Sequence, residues 1–481
     1  MAFDYDVIIL GSGPAGFSCA MQSTKFDKKV LMVEVDNENI GGTWLNKGTV
    51  PSKALREAAN LILNFHTQFN DEKGRKPYQK FRMEELLHYK MSILDSKNKK
   101  VKTDLIKNEV ETARGFGKII DEHTVQVTNQ LKQTTTHTAE HILIATGSSP
   151  KSPENFEVNN TTIMDYDSIL DMTHIPRRMV IVGSGVIAFE FATIFAALGT
   201  RITILSGTDD MLPFLDKEIK DELLKILSKK NIQIFRETTV KHVEANELRT
   251  CMEVAFHHKS TNRLHVSETD HVLYIGGKLP NSANIGLENM NIDVTDNGMI
   301  VVNENFQTGV PNIYAVGDVI GQQSSAAVSF VEGRLAACNM FEMKNDSLGA
   351  DIPYGIYSIP EISGIGLTEI KARELGIDVT IGRAHFENLT QADIQHDTDG
   401  ILKLVFRTDN LKLLGVHIIG GQATDLIHLG QCVMATGGTI KYFLDHVLNY
   451  PTYSEAYRIA AFNGVNRVYK AGVKYKKILE R

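Results

Sequence analysis

The feature that most limits what this chain can fold into is a supersecondary pattern that occurs twice. Strand-like DVIIL (Asp6 to Leu10) runs into GSGPAG, a helix of small residues follows, and KVLMVE ends at Glu34. About 170 residues later MVIVG (Met179 to Gly183) runs into GSGVIAFEFA, and RITIL leads up to Ser206. A glycine turn between a buried strand and a helix lets the backbone approach a pyrophosphate. The helix N-terminus then offers free N–H groups and the positive end of its dipole. In the first copy Gly11, Gly13 and Gly16 form GxGxxG, with Pro14 and Ala15 opening the helix. Glu34 stands about 20 residues on, where an acid accepts from ribose hydroxyls. In the second copy Gly183 and Gly185 keep the turn, Val186 and Ile187 follow, and Ala188 takes the third glycine position. Two such units predict two dinucleotides, one held tightly and one exchanged. The expected class is α/β: two Rossmann-like dinucleotide-binding domains plus a C-terminal α+β domain.

Composition removes several other classes. A chain of 481 residues exceeds one hydrophobic core, and a net charge of −7 gives no footprint for a nucleic acid. The four cysteines, Cys19, Cys251, Cys338 and Cys432, make no CxxC or CxxxxC unit, which favours buried, unpaired thiols in a reducing compartment. The sixteen histidines show neither HExxH nor Cys/His ligand spacing, so no metal site is expected. No run of about 18 apolar residues predicts a membrane span. MAFDYDVIILGSG leads directly into a strand without a basic leader, and a cytoplasmic location is expected. The basic tail KAGVKYKKILER reads as a solvated helix end rather than a membrane-surface patch.

Between the two turns, HILIATGSSP carries Thr146 and Gly147 at the end of an apolar run, a return of the chain to the first domain. Later NIYAVGDV ends an apolar strand at Gly317 and Asp318; the plain reading of Asp318 is a helix N-cap after a strand. Phe81 to Val110 is charged, with Leu87, Met91, Leu94, Val101 and Leu105 at helical spacing, and predicts an amphipathic helical excursion on the first domain.

Residues 41–56, GGTWLNKGTVPSKALR, resemble the redox loop GGTCxxxxCxPSK of the FAD-dependent pyridine nucleotide-disulfide oxidoreductases. The other motifs follow in that family's order and cover essentially the whole chain. Trp44 and Thr49 stand where the two redox cysteines belong. Within the family the chain is similar to the transhydrogenase branch (Si-specific), through GTVPSKALR, IYSIPEIS, GRAHFENLTQADI and NYPTYSEAYRIAAFNGVNR. The resemblance implies FAD on the first fold, at Gly41, Gly42, Thr43, Gly115, Thr146, Gly147, Gly317, Asp318 and Ala326 besides the first turn and Glu34, and a further cofactor contact at Gly277. It implies NAD(H) and NADP(H) as exchangeable substrates on the second. Lys53 of PSK would sit beside the flavin and pair with Glu190 of the second motif. Tyr450 would occupy the place of the acid–base histidine that serves the thiols, with Glu455 as its former orienting partner. The implied division is 1–157 and 278–348 for the FAD domain, 158–277 for the NAD(P) domain and 349–481 for an interface domain, hence a homodimer or larger homo-oligomer.

Without thiols, a hydride taken from one nicotinamide can return only to another. The expected activity is therefore a ping-pong transfer between NADPH and NAD+ at one site. Ser206, in place of an acid, neither repels nor demands a 2′-phosphate, and no arginine follows it within the next few residues. Two further readings stay open: an NAD(P)H diaphorase or quinone reductase, and a dihydrolipoamide dehydrogenase-like flavoprotein that has lost thiol chemistry and is kept as a scaffold.

Overall fold

The computed structural model describes residues 3–36, 40–68, 81–248, 250–321, 325–344, 349 and 351–470. The basic tail that the sequence singles out lies, past residue 470, outside the described residues.

Near-continuous apolar runs form the centre of the first sheet, as parallel strands buried on both faces require. Its order is Glu111–Arg114, Val30–Glu34, Tyr5–Leu10 and Thr134–Ile144, with Ile313–Ala315 on the far side of the last. Val7 lies opposite Val30, and Leu10 lies between Val33 and Ile144. The strand Thr134–Ile144 serves two sheets. Its polar half, TTTHT, pairs antiparallel with Thr124–Thr128, which pairs with Phe116–Asp121, while its apolar half enters the parallel sheet.

The second unit repeats the plan. Ile232–Phe235, Arg201–Leu205, Arg178–Val182, His271–Tyr274 and Ile163–Met164 lie parallel in that order. An antiparallel sheet of Thr238–Ala245, Met252–His258 and Leu264–Thr269 accompanies them. From Tyr354 on, five antiparallel strands carry the helices Ala423–Ala435 and Glu455–Lys470. Two Rossmann-like units and a C-terminal α+β unit are thus the observed architecture.

The helical excursion exists as Met83–Lys107, with one change of phase. Leu94, Val101 and Leu105 are buried as the spacing predicts, but Met91 is 46% exposed and Lys90 is buried in its place. Lys90 is tolerated inside because its Nζ donates to Leu170 O at 2.6 Å and meets Asp171 at 3.2 Å. The helix also reaches further than expected. Val101 and Leu105 join the core of the first sheet, whereas Met83 and Leu86 join a cluster with Phe189 and Phe195 of the second unit.

Candidate functional site

The first glycine turn is built for close approach. Gly11 has φ +104°, and a Cβ there would lie 2.4 Å from Ala145 O. A Cβ on Gly16 would lie 2.0 Å from Gly11 O, so this glycine lets the helix Pro14–Thr24 seat against the strand. Gly13 is different: it has open space beside it and caps the helix with no side-chain acceptor. The first-turn N–H groups are therefore left for an anion. Pro14 at the helix start lacks an N–H that would otherwise be orphaned. Glu34 Oε2 accepts from Ser12 N at 2.9 Å and Ser12 Oγ at 2.6 Å, and Oε1 accepts from Asp36 N at 3.2 Å. Gly115, at the turn beyond Glu111–Arg114, donates its N–H to Glu34 O.

Of the other sequence-predicted positions, Gly41, Gly42, Thr146 and Gly317 meet this turn. Gly41 (φ +117°) donates to Ser12 Oγ at 2.8 Å, and a Cβ on Gly42 would meet Gly13 Cα at 3.0 Å. Thr43 is exposed within the short helix Gly42–Asn46. Gly317 (φ +79°) sits 3.4 Å, by its missing Cβ, from Ala15 Cβ. Asp318 lies in the short 3-10 turn Gly317–Val319; the N-cap of the following helix, Ala326–Met340, is Ser325. The plain N-cap reading of Asp318 therefore fails. Its Oδ2 accepts from Ser148 Oγ at 2.7 Å and Lys278 Nζ at 3.0 Å. Thr146 is bound to Asn281 O through its hydroxyl at 2.8 Å, while Gly147 and Gly277 (φ +70° and +114°) have open space where a Cβ would stand. Uncapped N–H groups, an acid with acceptor capacity and a run of Cβ-free backbone fit a bound dinucleotide.

The loop in place of a thiol pair is apolar and hydroxylic. Trp44, the only tryptophan of the chain, packs against Phe330 at 4.7 Å and Phe17 at 6.2 Å between ring centroids. Thr49 is exposed at the first position of the helix Thr49–Gln68. Lys53 follows four residues later on the same helical face. Its Nζ donates to Glu190 Oε2 at 2.7 Å and lies 4.7 Å over the Tyr357 ring. Glu190, 5% exposed on the helix Val186–Ala197, uses its other oxygen to accept from Tyr357 N at 2.8 Å. One carboxylate thus ties three distant segments together.

Sequence reasoning missed the third of these segments. Residues 356–361, IYSIPE, are also fastened by Ile359 N to Thr193 Oγ1 at 3.0 Å and by an Arg56–Glu361 ion pair at 3.0 Å. IYSIPEIS was a visible motif, but nothing local in it tells that Tyr357 N–H meets Glu190. Tyr450 and Glu455 are not brought to Lys53 within this chain. The Tyr450 hydroxyl, on a 67% exposed side chain, bonds Thr390 Oγ1 at 2.8 Å, and Glu455 opens the helix Glu455–Lys470. Cys19 and Cys338 are buried, Cys251 is half-buried and Cys432 exposed, all as free thiols. Among the described residues, no group of three metal-ligating side chains occurs and no helix is long and apolar enough to cross a membrane.

The second turn repeats the first. Gly183 has φ +126° and its Cβ would lie 2.2 Å from Ile275 O, while Gly185 caps its helix without a side-chain acceptor and has open space beside it. Val186 and Ile187 form the first helical residues, and Ala188 is fully buried. Ser206 departs from the expected ribose-facing position. It is 0% exposed, and its Oγ lies 2.7 Å from both Ser184 Oγ and Thr208 O.

Two units of this kind, joined through a half-buried Lys–Glu pair, define a two-dinucleotide oxidoreductase, and the comparisons agree. The pyridine nucleotide-disulphide oxidoreductase family profile matches residues 5–333, and the dimerisation domain of the same family matches 352–461. The chain belongs to that family. The soluble pyridine nucleotide transhydrogenase of Marinomonas sp. (strain MWYL1) is 38% identical over 477 residues, covering 97% of this chain and 99% of the relative. The protein of the same name from Mycobacterium tuberculosis (strain ATCC 25177 / H37Ra) is 37% identical, covering 97% and 98%. That from Pseudomonas aeruginosa (strain LESB58) is 36% identical, covering 97% and 99%. Among solved structures, the HOCl-induced flavoprotein disulfide reductase RclA from Escherichia coli superposes with a TM-score of 0.85 at 24% identity, over 95% of this chain and 99% of that one, a likeness of fold.

Proposed function

We propose that this chain is an FAD-dependent, Si-specific transhydrogenase that moves hydride between NADPH and NAD+ at one nicotinamide site, in ping-pong order. The observation that carries the reading is an intact, largely buried Lys53–Glu190 pair beside a loop whose thiol positions are Trp44 and Thr49. FAD, when bound, supplies the capacity to accept and return a hydride. The first turn, Glu34 and Asp318 would hold it, and the second turn would take the nicotinamide nucleotides in succession. Lys53 holds a positive charge at a fixed point. Glu190 orients it and, through Tyr357 N–H, locks the segment 356–361 against it. Neither Thr49 nor Trp44 exchanges with a disulfide or offers a thiolate, so no base is needed there, and Tyr450 in the histidine position is consistent with that loss.

The proposed division of the chain is 1–157 with 278–348, 158–277 and 349–481. The match to a dimerisation domain supports a homodimer, and relatives named as soluble proteins support a cytoplasmic location. Initial rates with NADPH varied at several NAD+ concentrations test the mechanism. Parallel lines are expected. Intersecting lines would mean both nucleotides bound together and would end the one-site reading.

A further inference from the structure

In a dinucleotide-binding unit the end of the second strand meets the adenosine ribose, where an acid disfavours a 2′-phosphate and a nearby cation accepts one. The two units here share a device at that point but differ in charge. In the first, Ser12 of the glycine turn donates to Glu34. In the second, Ser184 of the glycine turn meets Ser206, hydroxyl to hydroxyl, at 2.7 Å. Ser206 Oγ also donates to Thr208 O at 2.7 Å and accepts from Thr208 N at 3.3 Å. One proton and two lone pairs are then all engaged, and the side chain is fully buried. Residue 206 therefore neither holds a ribose hydroxyl nor repels a phosphate.

The charge at this end comes from other strands. Lys259, just beyond Met252–His258, donates from Nζ to Gly207 O at 2.5 Å. Arg236, just beyond Ile232–Phe235, places Nη1 3.3 Å from Asp209 Oδ1. Gly207 also lines a cavity of about 240 Å³ that reaches Gly183 of the glycine turn, along with Val182, Leu205 and Tyr274. Neither cation lines the cavity itself: Lys259 reaches it through Gly207 O, and its N–H meets the carbonyl of Glu237, the residue after Arg236. Of the nearby acids, Asp209 is held by Arg236 itself, Asp210 by Lys220, and Glu154, which lines the cavity, lies 3.9 Å from Lys151. Among the described residues no carboxylate pairs with Lys259, and its one hydrogen-bond acceptor there is a neutral carbonyl.

We propose that Lys259 and Arg236 form the subsite for the 2′-phosphate of NADP(H), doing from neighbouring strands what an arginine in the turn would otherwise do. The proposal rests on the second turn being the nicotinamide-nucleotide site. Lys259 supplies a point charge and Arg236 a fork with donors beyond the one on Asp209. With no acid at 206, NAD(H) still enters, and the phosphate adds affinity without being required.

The test is equilibrium binding, by calorimetry, of NADP+ and NAD+ to the purified FAD-loaded protein. Lys259→Met and Arg236→Gln should each raise the Kd for NADP+ by roughly 10- to 100-fold, the range for a lost charge-assisted contact, and leave that for NAD+ unchanged. Lys259→Arg should restore most of the loss. Equal weakening of both nucleotides would mean that Lys259 only props the Gly207 turn, and it would overturn the proposal. So would unchanged NADP+ binding in both variants, or no NADP+ binding by the unaltered protein. Selective loss of NADP+ affinity in a protein that passes no hydride between the nucleotides would sustain this subsite while removing the transhydrogenase reading.

Discussion

Replacing Lys53 by methionine and Glu190 by glutamine, singly and together, separates charge placement from packing at the centre of the molecule. The Glu190 side chain is 7% exposed and that of Lys53 27%. In Lys53→Met the Glu190 carboxylate keeps one partner, the Tyr357 N–H at 2.8 Å. Breaking a fully buried pair costs about 3–5 kcal/mol, and the partial exposure of Lys53 reduces that to about 2–3 kcal/mol here. Glu190→Gln retains an oxygen for Tyr357 N–H and leaves an ammonium that water reaches, so about 1 kcal/mol is expected. The double variant removes both charges and should cost less than the two single changes summed, by about 1–2 kcal/mol. Urea unfolding of the three FAD-loaded variants reads these values. The same proteins in stopped flow should show both half-reactions, with NADPH and with NAD+, slowed roughly 10- to 150-fold in Lys53→Met and less in Glu190→Gln. Additive stabilities within about 0.5 kcal/mol would refute the reasoning about an uncompensated carboxylate. Slowing of only one half-reaction would refute the single store of hydride.

A buried cation joins the nucleotide unit to the C-terminal sheet. Lys403, 1% exposed, lies 3.0 Å from both oxygens of buried Asp216 and 3.0 Å from Glu369. Lys403→Met should destabilise by about 3–5 kcal/mol in a denaturant melt, with Asp216→Asn on the same background recovering part of it. The Arg383 guanidinium, aided by Lys403, holds the neighbouring Glu218 carboxyl down at about 2, below its ordinary 4.5. Its contribution to stability is complete above the ordinary value and is lost as pH falls from there towards about 2, so acid unfolding of Arg383→Met should lose that component of the pH slope. Glutathione disulfide and dihydrolipoamide should be inert as substrates, and alkylation of the exposed Cys432 should leave hydride transfer intact. Disulfide reduction abolished by alkylation would expose a thiol route; Cys19, whose thiol burial pushes up to about 12, is a poor candidate for it.

Local chemistry was legible in the sequence wherever a backbone constraint required it. The positive φ of Gly11 and Gly183 and the placement of Lys53 one helical turn after Thr49 are local properties of the backbone, although the carbonyls these glycines approach, Ala145 O and Ile275 O, are distant in sequence. A positive φ or a forbidden Cβ leaves the same mark in any chain. The family resemblance supplied the pairing of Lys53 with Glu190, which no local pattern contains because 137 positions separate the two.

Facing, by contrast, was decided in three dimensions. Helical spacing alone placed Met91 inside; Leu170 O and Asp171, carried on another segment, drew Lys90 in instead. Ser206 read as a neutral residue at the ribose position, and Ser184 and the Thr208 backbone consume its hydroxyl. The turn after it looked devoid of cations, and folding brought Arg236 and Lys259 to its edge. By itself the sequence determined where backbone must bend and approach a phosphate, since a positive φ is set by the residue's own backbone. Which charges confront one another was left to the tertiary structure, because electrostatic partners act through space and come together only when distant strands pack.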